Sequence, residues 1–157
     1  MENAAAWDAD WAWGLPLIVL TVIFHVIGLG LFNVRVDEFL ARVKDHRRYD
    51  FVFVMVMGVT TMWATFLLAV EAGVWAIAFR FLGALPDNKL ALFYSLSAIT
   101  TYGHSDVFLA PQWRLMGALE ALNGIMLFGL TTAFMYGMIP ACLAAGAAPR
   151  SSFKTVA

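Results

Sequence analysis

The sequence predicts an all-α membrane protein with three transmembrane helices and one short re-entrant helix that leads into a loop. Of its 157 residues, 62% are hydrophobic and 13% are charged, and the mean hydropathy is +0.77. Soluble domains are about half apolar and about a quarter charged. Three apolar segments are long enough to cross a bilayer, which takes about 20 helical residues. Between the second and third lies a short apolar run that ends in a polar stretch containing glycine.

Composition argues against several classes of function. The net charge is -1, so nothing indicates nucleic-acid binding. The single cysteine, Cys142, has no partner for an intrachain disulfide and stands in no metal-ligand spacing. No nucleophile or metal cluster typical of a membrane enzyme is apparent, so we expect no catalytic residue. Acidic residues near the N-terminus, Glu2, Asp8 and Asp10, replace the basic start that a cleavable signal peptide needs.

The first predicted span runs from Leu15 to Phe32, and about 18 apolar residues are just enough to cross. Residues 1–14 are rich in Trp and predict a short interfacial segment. Pro16 suits the first turn of the following helix. His25 is the only ionisable group of this span. We interpret it as a packed or hydrogen-bonded interior side chain; the alternative is proton sensing, for which the sequence offers no partner.

The distribution of Lys and Arg predicts the topology. Five of them lie in the charged loop at residues 33–50, and such residues gather on the cytoplasmic side. The N-terminus is therefore predicted outside. The second span runs from Phe51 to about Phe81 and the third from Leu115 to about Ala145. The chain then divides into an N-terminal segment with the first span and the cytoplasmic loop (1–50), a second unit with the other two spans (51–146) and a short cytoplasmic tail (147–157).

The polar stretch between the last two spans reads Thr100-Thr101-Tyr102-Gly103-His104-Ser105-Asp106. The run before it, Lys89 to Ile99, is too short to cross and predicts a helix that enters the membrane from outside. Irregular backbone at membrane depth is tolerated only where protein buries it or water bathes it. A ring of such loops can present backbone carbonyls to an ion in place of its water shell.

This stretch resembles the selectivity filter of the potassium-channel pore family, whose pattern is Thr-Thr-Val-Gly-Tyr-Gly-Asp. The matching positions are Thr100, Thr101, Gly103 and Asp106, and the differing ones are Tyr102, His104 and Ser105. The likeness covers roughly residues 63–137 and includes Ala91–Ser95 of the pore helix, Trp113 after the loop, and Asn123–Ala133, which is similar to the inner helix of the family. It extends to a small bacterial ion-channel subfamily with an extra N-terminal helix.

The resemblance implies a homotetrameric channel in a bacterial inner membrane that conducts monovalent cations, with potassium the implied ion. Potassium would be held by carbonyls of Thr101, Tyr102, Gly103 and His104, with Ser105 at a rearranged outer ring because a Cβ there disfavours positive φ. The implied partners are three copies of the same chain and the lipid bilayer, with no cofactor beyond the bound cations. The three departures leave two alternatives open: a non-selective cation channel and a non-conducting channel-like subunit.

Several residues are predicted to support this filter. Thr100 and Asp106 flank it, and Ser97 stands where many family members have a glutamate that partners the filter aspartate. Glu71 and Glu120 are expected toward the outer side of the membrane, with one or both of them bracing the pore helix from behind, because intramembrane carboxylates usually have partners. The alternative is that these carboxylates bind ions themselves.

The last span contributes three further candidates. Asn123 either faces a water-filled cavity beneath the filter or forms an interhelical hydrogen bond. Gly124 falls on the hinge glycine of the family's inner helix. Gly124 and Gly129 either permit bending of the helix or allow close packing against it.

Overall fold

The computed structural model describes residues 2–42, 49–103 and 106–146. Over these ranges the chain is helical, with no strand. Its elements in chain order are α1 (Glu2–Arg42), α2 (Tyr49–Phe81), α3 (Asn88–Ile99), a 3₁₀ turn (Pro111–Trp113) and α4 (Arg114–Gly146). Three stretches of helix are long and apolar enough to cross a membrane: Trp7–Arg42, Phe51–Phe81 and Pro111–Pro140. The predicted all-α fold with three helices long and apolar enough to span a membrane is therefore confirmed.

Helix α1 is longer than the sequence suggested. It is continuous over 41 residues, so the stretch predicted as an interfacial segment and the start of the charged loop both belong to it. Pro16 lies inside the helix rather than in its first turn, where its missing N–H removes one backbone hydrogen bond. Contacts beyond the proline hold the helix together. Asp10 is only 5% exposed and lies beside the backbone N–H of Met116, in the first turn of α4.

Glycines let α1 lie close to the other two long helices. A Cβ added at Gly14 would lie 2.5 Å from Leu119 of α4, and one added at Gly28 would lie 2.8 Å from Leu67 of α2. The indole N–H of Trp63 also donates to the carbonyl oxygen of Gly28, at 3.0 Å. Close backbone approach at small residues is how transmembrane helices associate, so α1 is an integral part of the bundle.

The largest apolar cluster lies where α2 ends and α3 and α4 begin. Its buried members include Trp75, Phe79, Leu85, Tyr94, Leu109, Met116 and Leu119. Helix α3 begins at a side-chain cap, since Asp87 accepts hydrogen bonds from the N–H groups of Lys89 and Leu90 at 3.0 and 3.2 Å. Arg80, near the end of α2, donates from Nε to Asn88 Oδ1 at 2.7 Å, which fixes the start of α3 to the end of α2.

From this anchored start, α3 runs alongside α4. The Tyr94 hydroxyl contacts the position of Gly117, and the Ile99 carbonyl contacts the position of Gly124. From the first contact to the second, the residue number increases on both helices, so α3 and α4 run in the same direction. Because Gly124 is ten residues into α4, the last residue of α3 lies about 15 Å from the start of α4.

After α3 the chain returns to the end of the bundle from which it came. A Cβ added at Gly117 would lie 3.1 Å from the Leu109 side chain, and the Ala110 N–H donates to the Ala84 carbonyl at 3.2 Å. Ala84 belongs to the connection between α2 and α3. The segment from α3 to the 3₁₀ turn therefore starts and finishes at the same end.

Replacing Gly124 with alanine is expected to destabilise the folded protein by about 1–3 kcal/mol, the usual cost of overpacking. The added methyl group would overlap the backbone of Ile99, and that backbone cannot move without shifting α3. Thermal unfolding in detergent, followed by circular dichroism, measures the effect. Gly30→Ala is the matched control, because nothing lies within 4 Å of that position and alanine gains up to about 1 kcal/mol of helix propensity. Equal effects of the two substitutions would contradict the close contact.

Candidate functional site

The loop that follows α3 folds back over the last turn of the helix. The carbonyl of Ser97 accepts two backbone hydrogen bonds, from the N–H of Tyr102 at 2.9 Å and from the N–H of Gly103 at 3.3 Å. The Thr100 hydroxyl donates to the Leu96 carbonyl at 2.6 Å. These bonds use carbonyls that the end of a helix leaves without intrahelical partners. They fix the loop to α3, and the backbone carbonyls of the loop itself take no part in these hydrogen bonds.

The backbone of the loop changes hand from residue to residue. Thr101 has φ 57° and Gly103 has φ 86°, whereas Tyr102 between them does not have a positive φ. Among the described non-glycine residues, Thr101 alone has a positive φ. A left-handed conformation costs an L-residue roughly 1–2 kcal/mol and is unusual for a β-branched one. Such strain is typical of functional loops.

The loop is exposed at the surface of the chain. Thr100, Thr101, Tyr102 and Gly103 are all exposed, and the Tyr102 side chain is 84% exposed. A groove of about 450 Å³ adjoins the two threonines, and its other lining residues are apolar or glycine: Leu68, Ile99, Gly124, Ile125 and Phe128. Polar backbone is therefore presented beside an apolar surface of α2 and α4.

The structure brings four of the predicted filter residues together in this loop: Thr100, Thr101, Tyr102 and Gly103. His104 and Ser105 lie outside the described residues. Asp106 follows that gap and is exposed. Predictions about the outer end of the filter rest on the sequence alone.

Behind α3 lies a buried carboxylate, Glu120 of α4. It is fully buried and faces the hydroxyls of Ser95 and Tyr94, both on α3. Neither Glu120 oxygen nor Ser95 Oγ completes a hydrogen bond of good geometry within the part of the chain that the structure describes. Ser97 is also buried, 5% exposed, and supports the loop through its carbonyl. Glu120 is thus placed against the buried face of α3.

Glu71 lies elsewhere, among the three long helices. Its Oε1 is 2.9 Å from Nδ1 of His25 on α1, and Nε2 of that histidine is 2.8 Å from Thr131 Oγ1 on α4. Helix α2 continues for ten residues beyond Glu71, about 15 Å, and the carboxylate is fully buried in the bundle interior. The sequence did carry a signal, because intramembrane ionisable groups usually pair, but pairing them required knowing that α1 packs against α2.

Asn123 makes an interhelical hydrogen bond. Its Nδ2 donates to Thr21 Oγ1 on α1 at 2.8 Å, and both side chains are buried. Of the two alternatives for Asn123, the hydrogen bond between helices is the one observed. For Gly124 the observed role is close packing against Ile99, whereas Gly129 has nothing within 4 Å of an added Cβ.

Comparison with known proteins found no relative: no protein-family model, no curated protein and no solved structure matches the chain. The family resemblance therefore stays a prediction from sequence motifs.

In the described part of the chain, no group of three or more His, Cys, Asp or Glu side chains could hold a metal ion.

The bond between Asn123 and Thr21 is expected to contribute a coupling free energy of about 0.5–1.5 kcal/mol, the range for intramolecular hydrogen bonds. A double-mutant cycle of Asn123→Leu and Thr21→Val, read by denaturation in mixed micelles, measures it. Thr61→Val is the control partner, because the exposed Thr61 hydroxyl donates to the Met57 carbonyl of its own helix. That pair should be additive within about 0.5 kcal/mol. An additive Asn123 and Thr21 pair would show that the bond does not form.

Proposed function

We propose that the chain assembles as a homotetrameric channel for monovalent cations, potassium first among them, with residues 100–103 lining the pore. The observation that carries this proposal is the exposed loop itself. Its polar backbone alternates in hand, and it stands at the end of a short helix that lies alongside α4.

The depth of the loop supports the proposal. The end of α3 contacts Gly124, about 15 Å along a helix of transmembrane length. Exposed irregular backbone at that depth cannot face lipid, because each unsatisfied polar group there costs several kcal/mol. Water or another protein surface has to cover it, and a water-filled pore between copies of the chain supplies both.

The path of the chain supports a re-entrant hairpin. Helix α3 starts beside the end of α2, advances along α4, and the following segment returns to Ala84. With the N-terminus outside, as the Lys and Arg distribution predicts, the hairpin enters from the outer side. The C-terminal, partially negative end of α3 then points toward the middle of the membrane, where it favours a cation.

The backbone conformation suits ion coordination. A segment that alternates between left- and right-handed residues turns successive carbonyls toward the same side, and the positive φ values at Thr101 and Gly103 follow that alternation. Carbonyls turned toward one axis can replace the hydration shell of a cation. The Thr101 hydroxyl is exposed beside them and would add a further oxygen ligand.

A single loop surrounds an ion on one side only, so a closed site needs several copies. Rotational symmetry closes such a ring. Below the loop, Phe128, Thr132 and Tyr136 recur at four-residue spacing on α4 and are all exposed. In the proposed tetramer this face of α4 would line the space beneath the filter.

The exposure of Tyr102 bears on selectivity. In the implied family this position is a small valine behind the filter, whereas here the phenol is 84% exposed. A side chain that lies outside the loop leaves the carbonyl positions less firmly supported. A non-selective cation channel is therefore the second candidate function.

Selectivity is measured on the purified protein in planar bilayers with potassium on one side and sodium on the other. We expect a reversal potential close to that of potassium. A reversal near zero would establish the non-selective channel. A tetramer that carries no current in either direction would favour the non-conducting subunit.

Replacing Gly103 with alanine is expected to abolish potassium current, because a Cβ disfavours the φ of 86° and would turn the carbonyls away. Gly83→Ala is the matched control. Gly83 has φ 64° in the connection between α2 and α3, so its substitution carries a similar strain of about 1–2 kcal/mol outside the loop. Single-channel recording should show current in the Gly83 variant and none in the Gly103 variant. Normal current in both variants would remove the loop from the pore.

A further inference from the structure

The interior of the bundle contains a titratable pair that takes no part in the proposed ion conduction. His25 and Glu71 are both fully buried, and the atoms Nδ1 and Oε1 are 2.9 Å apart. The other imidazole nitrogen meets Thr131 Oγ1 at 2.8 Å. The imidazole ring of α1 is therefore contacted by one side chain from α2 and one from α4.

The neighbouring hydrogen bonds indicate how the protons are arranged. The Thr131 hydroxyl donates its hydrogen to the Leu127 carbonyl at 3.0 Å. Its oxygen is therefore the acceptor toward His25, which places a proton on Nε2. The contact between Nδ1 and Glu71 then needs one more hydrogen. That hydrogen lies either on Nδ1, giving imidazolium and carboxylate, or on Oε1, giving imidazole and carboxylic acid.

We propose that His25, Glu71 and Thr131 form a buried proton-binding site that retains a single titratable proton, shared between the imidazole and the carboxyl group. Both arrangements of that proton are neutral overall. Losing it would leave a carboxylate without a cation in an apolar interior, and gaining a second would leave an imidazolium without an anion. Uncompensated charge of either sign is costly there.

The surroundings offer no substitute counter-charge within the described residues. The second Glu71 oxygen, Oε2, has no hydrogen-bond partner. Thr21, one turn before His25 on α1, and Asn123, two turns before Thr131 on α4, are polar but do not titrate, and they bond to each other. The next carboxylate along α4, Glu120, is about 16 Å from Thr131 and faces Ser95 of α3.

A site that keeps one proton makes stability depend on pH in a characteristic way. In the unfolded chain a glutamate releases its proton near about pH 4.3 and a histidine near about 6.5. Below the first value the unfolded state binds one proton more than the site, so stability rises with pH. Between the two values the proton counts are equal and the contribution is flat. Above about pH 6.5 the folded site binds one proton more than the unfolded chain. Stability then falls as pH rises, and the unfolding equilibrium constant increases tenfold per pH unit.

Substitutions at the pair should change this profile in opposite directions. Glu71→Gln keeps the shape and a donor for Nδ1 but removes the carboxyl group. The neutral imidazole then remains, so stability should rise up to about pH 6.5 and stay flat above it. His25→Asn leaves the carboxyl group alone, so the fall should begin near about pH 4.3. The double variant should remove both dependences.

Equilibrium denaturation in mixed micelles between acid and alkaline pH tests this. Glu38→Gln is the matched control, because Glu38 is exposed on α1, where it meets Arg35 at 3.6 Å, and its profile should follow that of the unsubstituted protein. Parallel profiles of Glu71→Gln and the unsubstituted protein above about pH 6.5 would overturn the proposal and leave a purely structural contact.

A measurement without substitution at the pair keeps the proposal testable if those variants do not fold. The chain contains three histidines, and their ¹⁵N imidazole resonances can be assigned by substituting His46 and His104. The His25 signals should keep a proton on Nε2 and stay unchanged across the range around about pH 6.5 in which free imidazoles titrate. Ordinary titration of His25 would overturn the proposal. Neither experiment measures current, so their failure would leave the proposed channel function untouched.

Discussion

The arrangement of the chain depends on how closely α3 approaches α4. The carbonyl of Ile99 contacts α4 at Gly124, where any side chain would overlap the backbone. Gly117, seven residues or about two turns earlier, makes room for the Tyr94 hydroxyl on the same face. Because these two glycines have no side chain, the short helix α3 can lie directly against the long helix α4. This packing also sets the position of the loop at residues 100–103, because Tyr102 and Gly103 bond to the last turn of α3.

Local patterns predicted most of the fold. The three apolar stretches and the short helix before the loop come from runs of neighbouring residues, and the Asp87 cap places the start of α3 within one residue of the prediction. The extent of α1 did not follow from the sequence, because Pro16 and the tryptophans indicated a boundary. The helix continues through them, and its N-terminal part packs on α4 where Asp10 meets Met116, a contact that no local pattern contains.

The candidate site likewise combines features that the sequence predicted with features that it did not. Residues Thr100 to Gly103 were found from the motif and lie in one exposed loop, but the positive φ of Thr101 could not be predicted for a β-branched residue. One or both of Glu71 and Glu120 were expected to brace α3, and Glu71 pairs instead with His25 of α1. Which of two helices a carboxylate faces depends on their rotation about their own axes. The rotation of α2 is set by contacts such as Gly28 with Leu67, which only the folded bundle contains.

The position of His25 in the chain has a consequence for biosynthesis. His25 leaves the ribosome 46 residues before Glu71 and 106 residues before Thr131. The part of the helix around His25 therefore emerges before either partner has left the ribosome. An ionisable side chain in a lone helix raises the cost of entering lipid. Stable integration of the first helix is thus linked to the arrival of the last, which makes the order of translation part of how this bundle is assembled.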